Sequence, residues 1–217
     1  MKSNDIKYCV WDVGKTIYPF SLQPLNQWAA EHTRSPEKYD EQNNIKFFDY
    51  DPYMAGKEDF ETFCRNMCRK YDIPYTNSTR QEVNKALHAG VKPPYPETLA
   101  AMDMLKKRGI ENCVLSNALP ILGDSVPDFV PVNRKYAFTS YELGLLKPDK
   151  KIFEAVREKL GCEFGQIIFV DDKAENVKSA EDCGIRGIVC RHETLEKSPR
   201  NVLSGKTVLA PEKQKIY

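Results

Sequence analysis

Three carboxylates, a lysine and a hydroxyl stand where short apolar runs of this chain come to an end. Asp12 opens Asp12-Val13-Gly14-Lys15-Thr16 after the first run, and Ser116-Asn117 follows the second. Gly144-Leu145-Leu146-Lys147-Pro148-Asp149 comes after the third, and Asp171-Asp172 follows the fourth. In open parallel sheets such strand ends share one edge, and ligands bind there, near the point where strand order reverses. Carboxylates gathered at one edge repel each other unless a hard cation sits among them. Mg²⁺ takes oxygen ligands and typically keeps waters and a substrate phosphate. A lysine and a hydroxyl close by would neutralise and hydrogen-bond phosphate oxygens. A carboxylate can also attack phosphorus to give an aspartyl-phosphate, splitting one hard step into two.

Each segment also has a plainer explanation. Aspartate often ends a strand, and Ser116-Asn117 is a common turn pair or helix N-cap. Asp149 reads as the cap of the helix that follows, alongside a functional Lys147. Two adjacent carboxylates directly after an apolar strand, however, are costly without a cation. Four plain explanations would have to coincide in order, so the joint functional reading is preferred. Gly14-Lys15-Thr16 looks like the end of a P-loop, but Cys9 stands where that motif needs its first glycine. The strand runs straight into Asp12, which leaves no loop to wrap a phosphate chain.

The elements that must position these residues are legible as a rhythm. Apolar runs at 6–11, 112–115, 136–138, 167–170 and 187–190 predict strands, and 207–209 one more short strand. Residues 96–108, 149–160 and 174–182 predict helices, with Gly109, Gly161 and Gly184 as stop signals. This alternation predicts an α/β fold: a Rossmann-like, mainly parallel sheet with helices on both faces. Residues 19–92 break the rhythm, being polar and aromatic with no convincing strand. Helices are expected from Gly56-Lys57-Glu58-Asp59 through Phe60, Phe63 and Met67, and over 81–89. The prediction is a small α-helical cap at 19–92, inserted after the first strand of a core formed by 1–18 and 93–217. Pro93-Pro94-Tyr95-Pro96 marks the return, because consecutive prolines favour an extended connector.

The four segments, in this order, resemble the four motifs of the haloacid dehalogenase superfamily of hydrolases. The insert resembles that family's helical cap, which lies between its first and second motifs. The Asp-x-Gly-x form of the first motif and the Phe-x-Asp-Asp form of the fourth are most similar to the branch that includes bacterial glucose-1-phosphate phosphatase. The resemblance implies Asp12 as nucleophile and metal ligand, with the Gly14 carbonyl as a second ligand. Asp171 and Asp172 would complete the protein share of a Mg²⁺ site. Ser116 and Asn117 would hold phosphate, and Lys147 would balance its charge and that of Asp12. Lys15 stands where Gly or Asn is more usual; it reads either as a solvent-facing loop residue or as a contact to substrate phosphate or cap. The implied activity is Mg²⁺-dependent hydrolysis of a small phosphorylated metabolite, expected to be a sugar phosphate.

One departure matters. Most phosphatases of this family carry a second Asp two residues after the nucleophile, to protonate the leaving group and later activate water. Here that position is Gly14. General acid–base catalysis contributes ~10²–10⁴-fold, which corresponds to roughly 3–5 kcal/mol of barrier. Either the leaving group is good, as in an anomeric phosphate, or another group supplies the proton (a cap residue, His32 or His88, or a metal-bound water), or turnover is slow. Two rivals follow: a metal-independent dehalogenase, and a weakly active phosphate- or partner-binding protein. The Asp171-Asp172 pair favours metal and phosphoryl chemistry. Candidate cap residues for substrate contact are Trp28, His32, Phe47, Phe48, Tyr50, Tyr53, Lys57 and Phe60, although aromatics in a helical insert more often fill the cap's own core than face a substrate.

Composition bounds the rest. With 217 residues, the chain is long enough for one domain with an insert. A net charge of +1, without a basic stripe, argues against nucleic acid as a partner. No stretch approaches the ~20 apolar residues of a membrane span, and Met-Lys-Ser-Asn-Asp-Ile-Lys does not read as a signal peptide. A cytoplasmic location is therefore expected. The 7 cysteines read as free thiols, with Cys64 and Cys68 one helical turn apart in packing rather than on a metal. Oligomeric state has no signature in the sequence.

Overall fold

The computed structural model describes residues 5–39, 44–123 and 130–192. The strand expected at 207–209 lies outside them. Five strands, β1 (Tyr8–Trp11), β2 (Glu111–Ser116), β3 (Ala137–Thr139), β4 (Ile167–Asp171) and β5 (Arg186–Val189), form one sheet in the order β3-β2-β1-β4-β5. Every neighbouring pair is parallel, with Cys9 beside Asn112 on one side and Ile168 on the other. The chain therefore moves outward from β1 through β2 to β3, then crosses back to β4. The switch point falls at β1, whose carboxyl end carries Asp12.

Parallel strands buried on both faces need helices on both. Cys9, Trp11, Val114, Ile168 and Val170 point to one face and pack on Ala101, Met102 and Leu105 of helix α5 (Pro96–Lys107). Val10, Cys113, Leu115, Ile167 and Phe169 point to the other. They meet Ile152, Phe153, Val156 and Leu160 of α8 (Lys150–Leu160), and Val177 and Ala180 of α9 (Ala174–Asp182). The single-residue alternation of β1, β2 and β4 sorts the two layers. One polar pair crosses the first layer: Asn112 accepts from Trp11 Nε1 at 2.9 Å and donates to the Met102 carbonyl at 2.8 Å. Every hydrogen-bonding need created by burying these two side chains together is thereby shared among β1, β2 and α5.

Residues between β1 and α5 form α1 (Gln23–His32), α2 (Asp51–Met54), α3 (Phe60–Lys70) and α4 (Thr79–Ala89). They bury an apolar cluster of their own, with Leu25, Trp28, Tyr53, Phe63, Met67 and Leu87 at its centre. Asp59 caps α3, its carboxylate accepting from the Thr62 N–H at 2.7 Å. Helix α4 starts at Thr79, two residues earlier than the periodicity predicts, and α1 and α2 have no counterpart in the predicted elements. Their short apolar faces, Leu25 with Trp28 and Ala29 on α1, carry too few turns for periodicity to detect. Cys64 and Cys68 lie buried in the cluster as free thiols.

The segments leaving and rejoining the sheet run side by side. Ser21 N–H donates to the Gly90 carbonyl at 3.0 Å and Lys92 N–H to the Pro19 carbonyl at 3.1 Å, on either side of an antiparallel bridge between Phe20 and Val91. A second junction runs through Ser140, at the start of α7 (Ser140–Leu143). Its hydroxyl donates to the Met54 carbonyl at 2.6 Å and accepts from the Ala118 N–H at 3.1 Å. The short helix α6 (Pro120–Gly123), after β2, adds Leu119, Ile121 and Leu122 to the helical cluster. No helix among the described residues is long and apolar enough to cross a membrane.

Candidate active site

The site is built from the last residues of the strands and the turns that follow them. Asp12 continues the pairing of β1, its N–H donating to the Val170 carbonyl at 2.7 Å. The chain then turns tightly: the Ile17 and Tyr18 N–H groups both return to the Val13 carbonyl, at 2.8 and 3.2 Å, and Lys15 N–H reaches the Tyr18 carbonyl at 2.7 Å. Lys15 sits in the left-handed region at φ 63°, a conformation that favours Gly or Asn. Its carbonyl is held by His192 Nε2 at 2.7 Å, and the His192 ring stacks on Tyr95 with Nδ1 3.2 Å from Glu97.

Lys147 comes in from the loop after α7. Asn117 holds its backbone on both sides, accepting from its N–H at 2.9 Å and donating to its carbonyl at 2.9 Å. This places the ammonium, almost wholly buried, between two carboxylates: 2.6 Å from Asp12 Oδ1 and 2.8 Å from Asp171 Oδ2, with a third bond of 2.9 Å to the Leu115 carbonyl. All three ammonium donors have acceptors. The Lys147–Pro148 peptide is cis. Asp149, as expected, caps α8, accepting from the Lys151 N–H at 3.0 Å.

Asp171 is the most committed of the carboxylates. Oδ1 accepts from the Lys173 N–H at 2.8 Å, while Oδ2 accepts from both Lys147 and Asn176 Nδ2, the latter at 2.9 Å. Asp172, beside it, is half-buried. Among the described residues, Asp12, Asp171 and Asp172 are the group of potential metal ligands whose atoms converge, all within 4.8 Å of one another.

The electrostatics follow from this crowding. Burial pushes the Asp12 carboxyl up to about 6, Lys147 opposes that, and Asp171 adds to it. Burial, then the neighbouring Asp171, raises Asp172 as well. For Lys147, burial favours the neutral amine, but Asp12 and Asp171 more than offset it and hold the ammonium above its ordinary value. Three carboxylates facing one buried cation leave an excess of negative charge. Oxygen-only donors with surplus negative charge are what Mg²⁺ requires, so the residues present fit that ion.

Asp12, Gly14, Lys15, Ser116, Asn117, Lys147, Asp171 and Asp172 all line one cavity of about 570 Å³. The sequence therefore singled out a set that the fold brings together. Three details narrow what the sequence left open. The Asn117 amide is engaged with the Lys147 backbone on both its oxygen and its nitrogen. Of the substrate-contact candidates in the helical segment, Tyr50 alone lines the cavity; Phe20, Ser21, Leu22, Lys46 and Met54 line it too. Trp28 and Tyr53 are buried in the helical cluster, Phe48 and Phe60 pack against it, and Phe47 is exposed. His32 and His88 are absent from the lining: His32 bonds the Trp28 carbonyl and His88 the Asn84 carbonyl through Nδ1. Asn176 was missed; a polar residue on the inner face of α9, next to buried Val177, was the available signal.

Comparison with known proteins agrees with this architecture. An enzyme of the HAD family from Bacteroides thetaiotaomicron, solved in complex with magnesium and inorganic phosphate, superposes with a TM-score of 0.63 at 20% identity, covering 83% of this chain and 91% of that one. The L-2-haloacid dehalogenase of Xanthobacter autotrophicus, with chloropropionic acid covalently bound, gives a TM-score of 0.55 at 16% identity over 94% and 85%. These likenesses establish the fold. The family of haloacid dehalogenase-like hydrolases matches residues 6–184, and the chain belongs to it.

Curated relatives are larger proteins for the most part. Acyl-CoA dehydrogenase family member 10 of Mus musculus is 28% identical over 64% of this chain but only 13% of its own length. Bifunctional epoxide hydrolase 2 of Sus scrofa is 28% identical over 68% of the chain and 26% of its own length. Phosphatase MT3486 of Mycobacterium tuberculosis is 24% identical over 63% of both.

Proposed function

We propose that the chain is a Mg²⁺-dependent hydrolase of small organic phosphomonoesters, working through an aspartyl-phosphate on Asp12. The observation that carries this reading is the convergence of Asp12, Asp171 and Asp172 around a single buried Lys147 at the carboxyl edge of the sheet. The magnesium-and-phosphate complex of the Bacteroides enzyme and the name of the Mycobacterium relative support it. A cytoplasmic setting fits the reduced thiols.

Asp12, the Gly14 carbonyl, Asp171 and Asp172 would hold the cation, which when bound shields the negative charge of both carboxylates and phosphate. Lys147 keeps Asp12 ionised and oriented by its 2.6 Å bond to Oδ1, leaving Oδ2 to act as nucleophile. Asn117 positions Lys147 by gripping its backbone, so its contribution to phosphate binding is indirect through that side chain. Ser116 lines the cavity beside Asp12 and is assigned to a phosphate oxygen. In the first step an Asp12 oxygen bonds to phosphorus as the bond to the leaving oxygen breaks. In the second, water attacks the aspartyl-phosphate, releasing inorganic phosphate and restoring the carboxylate. The helices of 19–92 act as a cap, limiting water at the reacting centre.

Hydrolysis of p-nitrophenyl phosphate with Mg²⁺ and with EDTA tests the reading, with Asp12→Asn as control. We expect Mg²⁺-dependent turnover that falls by at least about 10³-fold in the variant, while circular dichroism stays unchanged. Turnover retained by Asp12→Asn would remove the nucleophile. Turnover of haloacids in EDTA, with none of phosphate esters, would move the chain to the dehalogenases.

A further inference from the structure

Six of the residues that line the cavity form a largely apolar wall. Phe20 and Leu22 come from the segment leaving the sheet, Tyr50 and Met54 from around α2, and Leu119 and Leu122 from the segment after β2. The polar side chains on that wall are few: Ser21, Lys46 and Tyr50. The Tyr50 hydroxyl donates to the Ile45 carbonyl at 2.8 Å, and the Ser21 hydroxyl accepts from the Gln23 N–H at 3.1 Å. Lys46 is exposed at the rim. A sugar carries several hydroxyls, each of which costs free energy when it leaves water without a partner. This wall offers them little. An apolar ring, by contrast, would gain from leaving water against these same side chains.

A second observation points the same way. Gly14 supplies no acid, and neither His32 nor His88 reaches the cavity. A leaving group must then depart without a proton from a side chain at that position. Phenols ionise near 10, as tyrosine does, whereas bulk water, close to an aliphatic alcohol in acidity, ionises near 16. An aryloxide is therefore a better anion to expel than a simple alkoxide by about six powers of ten in acidity; against an anomeric sugar phosphate, also a good leaving group, it is the apolar wall that decides.

We infer that the substrate class is an aryl monophosphate, its ring seated against Phe20, Leu22, Tyr50, Met54, Leu119 and Leu122. The inference rests on the phosphatase reading above and replaces the sugar phosphate expected from the sequence. The reaction balances without another reagent. Asp12 forms the new O–P bond, and the electron pair of the broken bond departs with the aryloxide. The water that hydrolyses the intermediate supplies the oxygen of inorganic phosphate and, through solvent, the proton of the phenol.

The test compares kcat/KM in Mg²⁺ for 1-naphthyl phosphate, phenyl phosphate, cyclohexylmethyl phosphate and glucose 1-phosphate. Naphthyl phosphate should exceed the last two by at least about 10²-fold, the lower end of what a missing general acid is worth. Leu122→Gln should raise KM for naphthyl phosphate more than for phenyl phosphate, because the larger ring meets more of the altered wall. Glucose 1-phosphate turned over as well as naphthyl phosphate would overturn the inference and leave the phosphatase intact. Equal rates on cyclohexylmethyl and naphthyl phosphate would overturn it too, by showing that leaving-group acidity is irrelevant. No turnover of any of the four esters would instead remove the phosphatase reading on which the inference stands.

Discussion

At the scale of the residue, the proposed chemistry turns on Asp12 and on the glycine two residues later. A Cβ built on Gly14 meets only Phe20 Cβ, at 3.9 Å, so this glycine is not required by packing. Gly14→Asp should therefore fold, and it should raise kcat on alkyl phosphates by about 10-fold or more while barely changing p-nitrophenyl phosphate. Steady-state rates across leaving groups of graded acidity check this, and a uniform change would mean that protonation does not limit the reaction. The raised Asp12 carboxyl also has a consequence for stability. In metal-free protein the unfolded carboxyl ionises near 3.8 but the folded one only near 6. Between these values the folded state binds more protons, so stability falls as pH rises through this window and levels off above it. Asp12→Asn should match wild type below about pH 4 and be the more stable protein above pH 6. Thermal melts in EDTA across that range measure the difference; parallel profiles would contradict the placement of Asp12 as a buried, ionised group.

At the scale of the element, the sheet positions and the connections restrain. Strand ends deliver Asp12, Ser116 and Asp171 to one edge because β1, β2 and β4 are adjacent and parallel. The helical segment is tied to that edge through the bridged segments at 19–21 and 90–92 and through Ser140. Gly90 allows the first of these. Its φ is ordinary at −76°, but a Cβ there would lie 2.1 Å from the Ser21 carbonyl oxygen, against backbone that cannot swing away. Gly90→Ala should cost about 1–3 kcal/mol, read as a lower melting temperature. It should also lower kcat, because Phe20 and Leu22 line the cavity beside this crossing. An unchanged melting temperature would mean the two crossing segments separate readily.

At the scale of the whole molecule, the proposed cation site links ion binding to folding. Mutual repulsion among Asp12, Asp171 and Asp172 opposes the folded state until positive charge beyond Lys147 arrives. Mg²⁺ at 100 times its dissociation constant should stabilise the fold by about 2.7 kcal/mol. Asp172→Asn, which removes the carboxylate with the fewest protein partners, should abolish most of that gain while stabilising the metal-free form. Melting temperatures with and without Mg²⁺ measure both, and an equal Mg²⁺ response in the variant would place the ion elsewhere.

The order of elements, the parallel sheet and the eight residues that come to line one cavity were legible in the sequence itself. Apolar runs of period two, glycine stops and polar strand ends are local signals, and four strand ends in one order constrain one another. The tertiary structure alone decided what Asn117 does, since its bonds to Lys147 join residues thirty positions apart. It likewise decided that Asn176 completes Asp171, and that Trp28, Tyr53 and Phe60 serve the helical core without lining the cavity, whereas Leu22 and Leu119 border both and Phe20 lines the cavity. The reason is physical. An aromatic in a helical segment is equally apolar whether it fills a core or walls a cavity, and only the packing of α1–α4 against one another selects which side chains are left to face the substrate.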